Sequence, residues 1–354
     1  MGGVRRHNQE LLPRVAKLLR NGGGGLSVLE GAVPTAFDLG PDIERLPSNV
    51  PAGPPAKRAM FEGRAIRRVL AEAARAGRPF GVVHTAHLPL PTQLGTPLSW
   101  TVHDLRRLGV SGTRNRGLGS ALSRSLARRV IGRAVLSAAR IQVVSRAVRD
   151  ELEAQFEGAA GRVALVGNGA DHLPLAARSP ASTPFILFTG HIETRKNLGV
   201  LLGALAVDAH LPELRLVGAA KGNGARRLRA LAKSLGVEER VKLLGPVTDG
   251  ELSALLAGAH CAVFPSALEG FGLGPAEALR AGCPVVASDL PAHREHAGDA
   301  AAYCDPGEPH QFARAIREAR APTPGSWRVP IWDTCAQRWL ESLQKCASYA
   351  PEAH

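Results

Sequence analysis

Short apolar runs alternate along this chain with longer segments whose apolar residues recur every three or four positions. The short runs predict strands at 81–84, 98–102, 141–144 and 163–166, and again at 185–189, 214–217, 241–244, 261–264 and 284–287. The longer segments predict helices at 8–19, 59–76 and 120–139, then at 197–206, 225–235, 249–257 and 275–281. Residues 31–56 carry Pro34, Pro41, Pro47, Pro51, Pro54 and Pro55 and are expected to be mostly loop. The polar, proline-containing stretch 172–184 reads as a linker. Strands alternating with helices build parallel sheets covered on both faces, so the fold class is α/β. The expected organisation is an N-terminal Rossmann-like domain over 1–176 and a C-terminal one over 177–354.

Composition agrees with two cores. The chain has 354 residues, 45% of them hydrophobic, more than one small domain needs. No apolar run approaches the roughly 18 residues that span a bilayer. The opening Met1-Gly2-Gly3-Val4-Arg5-Arg6-His7 lacks the apolar stretch of a signal peptide, and a cytoplasmic location is expected. Cys261, Cys283, Cys304, Cys335 and Cys346 form no C-x-x-C pair, so buried thiols are expected rather than a disulfide framework or zinc site.

The formal charge is +13. Arginine clusters at Arg106, Arg107, Arg114, Arg116, Arg124, Arg128, Arg129, Arg133, Arg140, Arg146 and Arg149. Two readings stay open: a solvated helix face, or a weak peripheral hold on the anionic inner leaflet of a membrane. With aromatic residues at 4% and none interleaved with the arginines, nucleic acid is not an expected partner.

The richest stretch is Pro265-Ser266-Ala267-Leu268-Glu269-Gly270-Phe271-Gly272-Leu273-Gly274-Pro275-Ala276-Glu277-Ala278-Leu279. It joins a buried strand, through a glycine-rich loop, to a helix whose first residue is expected to be Pro275 and whose end is Gly282. Ligands of open α/β sheets bind at the carboxyl ends of strands, and a helix start there suits a diphosphate. Glu269 can reach sugar hydroxyls, and Glu277 can accept from ribose hydroxyls.

Glu269 and Glu277, with seven residues between them, resemble the paired glutamates of retaining glycosyltransferases of the GT-B fold, family 4. Phe185-Ile186-Leu187-Phe188-Thr189-Gly190-His191-Ile192-Glu193-Thr194-Arg195-Lys196-Asn197-Leu198 resembles that family's strand, glycine turn and Arg-Lys pair. Val166-Gly167-Asn168-Gly169-Ala170-Asp171 resembles its Asn-Gly turn, and Thr101-Val102-His103-Asp104-Leu105 its His-Asp motif. The serine-ended strand 141–145 also fits. The resemblance implies two Rossmann-like domains facing across a cleft, the N-terminal one on the acceptor side and the C-terminal one binding the nucleotide sugar, with a C-terminal helix that crosses back. It makes His103 and Glu269 catalytic and gives donor binding to Gly3, Gly190, Arg195, Lys196, Val247, Phe271, Gly272, Leu273 and Glu277. Arg195 and Lys196 would neutralise the departing β-phosphate, and His103 would sit near the anomeric carbon. The backbone at Gly245-Pro246-Val247 would pass the nucleobase. No Asp-x-Asp occurs, so neither metal nor cofactor is expected, and the nucleotide diphosphate sugar is the substrate. His84, His87 and His191 lie near other strand ends as cleft-adjacent candidates, with a structural role the preferred reading.

One departure stands out. In the family a buried strand precedes the glycine pair, whereas here Gly2-Gly3 follow Met1 directly, and that first strand is expected to be missing. The resemblance points to a hexosyltransferase using a nucleotide sugar, with GDP-mannose suggested by Thr-Val-His-Asp-Leu, and a glycan or lipid-linked acceptor in envelope or exopolysaccharide synthesis. A nucleotide-sugar epimerase fits the spacing of the Arg-Lys pair and glutamates less well, and no G-x-G-x-x-G supports a dehydrogenase. A non-catalytic scaffold on a decayed transferase fold, bound to an anionic surface, remains the alternative.

Overall fold

The computed structural model describes residues 2–33, 37–53, 55–105, 108, 118–323 and 325–349, with backbone alone for 55–57 and 118–122. Pro34, Pro54, Arg106, Arg107, Arg114 and Arg116 lie outside the described residues. In chain order the elements are α1 (Gly3–Asn21), β1 (Leu26–Glu30), β2 (Ile43–Pro47), α2 (Pro55–Arg75), β3 (Val83–Thr85), β4 (Leu98–Val102), α3 (Leu118–Ser137), β5 (Arg140–Val143), α4 (Arg146–Gln155) and β6 (Val163–Leu165). There follow β7 (Phe185–Thr189), α5 (Gly199–Val207), β8 (Glu213–Val217), α6 (Gly224–Ser234), β9 (Val241–Gly245), α7 (Asp249–Gly258), β10 (Cys261–Phe264), α8 (Leu273–Arg280), β11 (Val285–Ser288), α9 (Pro291–Ala297), β12 (Ala301–Cys304), α10 (Pro309–Arg317) and α11 (Trp332–Ala347).

Contacts divide the chain into two units. One holds His7–Gly167 with Asp333–His354, the other Met1–Arg6 with Asn168–Trp332. The sequence had suggested a single boundary after residue 176; in space the junction falls at Gly167/Asn168, and both chain ends are exchanged between the units.

In the first unit β3, β4, β5 and β6 form a parallel sheet in sequence order. All five residues of β4 are buried. The polar ones are satisfied laterally: Ser99 Oγ donates to Gln142 Oε1 at 2.8 Å, and Gln142 Nε2 donates to Ser342 Oγ on α11 at 3.0 Å. β1 and β2 pair in parallel as a separate two-stranded sheet, covered by a small cluster of Leu12, Ala16, Leu26, Leu39 and Ile43. The six strands are therefore split, and among the described residues β1 pairs with β2 alone and β3 with β4 alone.

The second unit is a six-stranded parallel sheet in the order β12-β11-β10-β7-β8-β9. The chain starts at the centre with β7, winds outward to β9, then returns to β10 and winds to the other edge. The order reverses between β7 and β10, where open α/β sheets bind ligands. β7 buries Ile186 and Phe188 in one core cluster and Phe185 and Leu187 in the other. Burial on both faces explains its unbroken apolar run.

The structure corrects several expectations. The proline-rich stretch 31–56 holds β2, and β1 was unforeseen. All of β1 is half-buried, and β2 is interrupted by exposed Glu44 and Arg45, so neither makes an apolar run. The first helix starts at Gly3 rather than at 8, so Gly3 is helical. α8 starts at Leu273, two residues before Pro275, which takes the third helical position. That place needs no N–H, so the proline is tolerated there. β12 and helices α4, α9 and α10 were not anticipated, whereas α11 stands where a C-terminal helix was expected. All five cysteines are buried and free. Among the described residues no helix is long and apolar enough to cross a membrane.

Candidate active site

In the second unit, three neighbouring strands end on glycines with positive φ: Gly190 after β7, Gly218 after β8 and Gly245 at the end of β9 (144°, 131° and 75°). They lie side by side. Gly190 N–H donates to Val217 O at 2.9 Å and Gly218 N–H to Gly245 O at 2.8 Å. From Gly190 the chain runs to a single 3-10 turn, Thr194–Lys196, closed by Asn197 in the left-handed region (φ 52°). Asn197 Nδ2 anchors this corner by donating to Pro306 O at 2.7 Å.

That turn carries Arg195 and Lys196 to the loop after β10. Ala267 N–H donates to Arg195 O at 2.9 Å, tying the two loops backbone to backbone. Between them sits Glu269. Its Oε2 accepts from Arg195 Nη1 at 3.2 Å, and its Oε1 accepts from Lys196 Nζ and from Ser266 Oγ at 2.7 Å. On the outer side Glu193 meets Arg195 Nη2 at 2.8 Å and Lys221 Nζ at 3.5 Å. Burial works to raise the Glu269 carboxyl, but the charges of Lys196 and Arg195 outweigh it and hold the pKa down at about 2. Glu193 faces the same contest: burial pushes up, while Arg195 and Lys221 prevail and lower it. Three cations thus face two ionised carboxylates. Arg195 Nε is buried with no hydrogen-bond partner among the described residues. An anion with several oxygens would find a donor and a net positive charge here.

The start of α8 depends on two glycines. Gly272 caps it with φ 85°, and a Cβ there would stand 2.8 Å from His293 Cδ2. A Cβ on Gly274 would stand 2.5 Å from Phe264 Cε1, so only glycine lets the helix start lie against β10. Leu273 is half-buried at the first helical position, and Glu277 is buried one turn on. Phe271 is buried with its ring 3.9 Å from that of His296, so its side chain is committed to packing. Val247 is half-buried against the core. Gly3 has open space around it, and its neighbour Gly2 lies against His191, where a Cβ would stand 2.8 Å from Cε1. Arg6 on α1 pairs with Asp249 at the start of α7. The structure therefore gathers Arg195, Lys196 and Glu269 into one cluster, with Gly190 at its base. Gly272 caps the adjoining helix, which carries Leu273 and Glu277.

His103 belongs to the first unit, directly after β4. Its ring meets that of His7 edge-on at 4.7 Å, and its Nε2 is buried without a partner among the described residues. Burial, then the neighbouring His7 and His84, push its pKa well below the ordinary histidine value. Burial likewise drives His84, held by Ser99 and Thr101, down to about 3. Both rings are neutral near neutral pH, so His103 has a lone pair or a neutral N–H to offer, not a cation. A stability consequence follows. The unfolded chain takes up protons on these histidines below its ordinary value of 6.5, while the folded unit resists them until far lower pH. Stability is whole above 6.5 and falls as pH drops, by at most about 1.4 kcal/mol per pH unit for each ring. Denaturant unfolding followed at pH 7.5 and 5.5 should show a loss of about 2 kcal/mol that H84Q/H103Q largely removes. An equal loss in that variant would assign the effect to other groups.

Sequence patterns missed several neighbours: Ser266 and His293 beside Glu269, and His172 and Trp332 beside Glu277. His172 sat in what read as a linker, and Trp332 beyond the last periodic segment; neither position carries a local signal.

The model for glycosyltransferase family 4 matches residues 1–172, and that for glycosyl transferases group 1 matches residues 176–321. The D-inositol 3-phosphate glycosyltransferase of Thermobifida fusca is 30% identical, with 89% of this chain and 80% of that protein covered. The O-antigen chain mannosyltransferase B of Escherichia coli is 30% identical across 62% of this chain and 61% of its own. Among solved structures, the sucrose-phosphate synthase of Thermosynechococcus elongatus is 20% identical and superposes with a TM-score of 0.70, covering 94% of this chain and 87% of that one. At that identity the likeness speaks for the fold, two Rossmann-like domains of the GT-B kind. With both family matches in chain order and a relative 30% identical along four-fifths of its own length, the chain belongs to the group 1 glycosyltransferases.

Proposed function

We propose that this glycosyltransferase moves mannose, with retention, from GDP-mannose to a glycan or lipid-linked acceptor of the cell envelope or an exopolysaccharide. The observation that carries the reading is the Arg195–Lys196–Glu269 cluster at the carboxyl ends of β7 and β10, beside the start of α8. As the C1–O bond to the β-phosphate breaks, negative charge grows on the leaving oxygen. Arg195 and Lys196 stabilise it, taking the part that a divalent metal plays elsewhere. The acceptor oxygen bonds to C1 on the same face, and its proton passes to the departing phosphate oxygen. Glu269, ionised and fixed by two cations and Ser266, orients both cations and accepts from sugar hydroxyls. His103 supplies a neutral imidazole toward the positive character that develops at C1.

Relatives acting in O-antigen assembly support mannose and a polysaccharide acceptor. Exposed Arg124, Arg128 and Arg129 on α3, beside Leu126 at 62% exposure, support an acceptor presented at an anionic membrane surface. A panel of GDP-mannose, UDP-glucose and UDP-N-acetylglucosamine, read by nucleotide release and by the anomeric configuration of the product, tests this. Turnover of GDP-mannose with retention, unchanged by a metal chelator, is expected. Turnover confined to a uridine nucleotide would sink the donor assignment, and an inverted product would sink the mechanism.

A further inference from the structure

Beside the cation cluster, the second unit holds a relay of buried polar groups ending on α8. Trp332 Nε1 donates to His172 Nδ1 at 3.1 Å, and His172 Nε2 lies 3.0 Å from Glu277 Oε1. An indole nitrogen can only donate, so Nδ1 carries the lone pair and Nε2 the proton. His172 is thereby locked in the tautomer that donates to Glu277. The far end is equally fixed. Asp171 Oδ1 accepts from the backbone N–H of Trp332 at 2.8 Å, and a Cβ on Gly169 would stand 2.4 Å from that nitrogen. Trp332 is fully buried, and the His172 side chain is 1% exposed against 10% for that of Glu277. Of the three side chains, that of Glu277 is the most exposed.

We propose that His172 is a positioning residue for nucleotide binding: it occupies Oε1 of Glu277 and so presents Oε2 to a ribose hydroxyl of the donor. Among the described residues Oε2 has no hydrogen-bond donor of its own. Glu277 has three rotatable side-chain bonds, and without the ring its carboxylate would have to be ordered at the moment of binding. With the ring in place that ordering is done beforehand, and affinity rises accordingly. Trp332 acts one step further back, by holding the tautomer. The proposal rests on the nucleotide reading of α8 given above and adds to it the residue that orients the carboxylate.

Calorimetric titration of UDP and GDP, each beside its 2′,3′-dideoxy counterpart, separates the possibilities. In H172F, which keeps a ring and loses both nitrogens, affinity for the ribonucleotide should fall about tenfold, while the dideoxy form binds as it does to the wild type. H172Q, whose amide N–H can stand where Nε2 was, should recover most of the loss. W332F keeps His172 and frees its tautomer, so a smaller loss with the same dependence on the hydroxyls is expected, and it carries the test if H172F does not fold. Equal ribonucleotide affinity in all variants overturns the role of His172, and so does an equal loss on the dideoxy form, which marks general damage. If the wild type binds neither ribonucleotide, the nucleotide reading itself falls and this proposal with it.

Discussion

Replacing Arg195 and Lys196 together by glutamine is expected to lower donor turnover about a thousandfold or more, with a smaller change in donor KM. The reason is when the charge appears. In the bound donor the diphosphate already carries charge that water can match, but the leaving oxygen gains more only as the C1–O bond breaks. Cations already in place need no rearrangement at that moment, and their loss therefore falls on kcat. Glutamine is the informative replacement. Truncation to alanine would strand the buried Glu269 carboxylate with Ser266 as its remaining donor, at a cost to the fold of about 3–5 kcal/mol. The glutamine amides keep donors near Glu269 while removing charge. Its carboxyl, held at about 2 by Lys196 and Arg195 against the effect of burial, should then rise above its ordinary value of 4.5. The double variant should accordingly lose its residual activity on acidification sooner than the wild type. Turnover within tenfold of the wild type, in a protein that still melts cooperatively, would remove the electrostatic basis of the proposed mechanism.

How far this cluster was legible depends on where each residue's signal resides. Arg195, Lys196, Glu269 and Glu277 were readable because each follows a strand buried on both faces, and such strands print as unbroken apolar runs: Phe185–Thr189 and Cys261–Phe264 were placed to the residue. That Arg195 and Lys196 bond to Glu269 was not readable, since the pairing joins loops 73 residues apart. His172 lay outside any pattern, because its role comes from Trp332, 160 residues later. Phe271, expected at the donor from its place in the glycine-rich loop, packs its ring against His296, 25 residues on, a contact that no local pattern signals. The start of α8 was misplaced because Pro275 is as comfortable at the third helical position as at the first. β1 and β2 escaped because one is uniformly half-buried and the other exposes the consecutive charged residues Glu44 and Arg45. Periodicity reports burial, and where burial is partial it falls silent.

The second large effect is expected at a residue that touches no substrate. Gly218 ends β8 with φ 131°, and a Cβ there would stand 2.1 Å from Gly190 O and 2.7 Å from Gly190 C. Gly190 is no flexible neighbour. Its N–H is bonded to Val217 O, and the segment beyond it is stitched to the β8 loop by Ile192 N–H to Ala219 O at 3.0 Å and Lys221 N–H to Ile192 O at 3.1 Å. G218A therefore combines a disfavoured backbone conformation with a backbone clash that only a shift of about 1 Å in the Gly190 turn relieves. A loss of about 3 kcal/mol or more in unfolding free energy is expected. Because that turn leads straight to Arg195 and Lys196, and an error of about 1 Å in such groups can cost about a hundredfold, kcat should fall by a similar factor in whatever fraction stays folded. G236A isolates the strain. Gly236 has φ 67° with no atom within 4 Å of its would-be Cβ, so alanine there should cost about 1 kcal/mol and leave turnover unchanged. If G218A matched G236A in both stability and kcat, the abutting strand-end glycines would not be what holds the Arg-Lys turn in place.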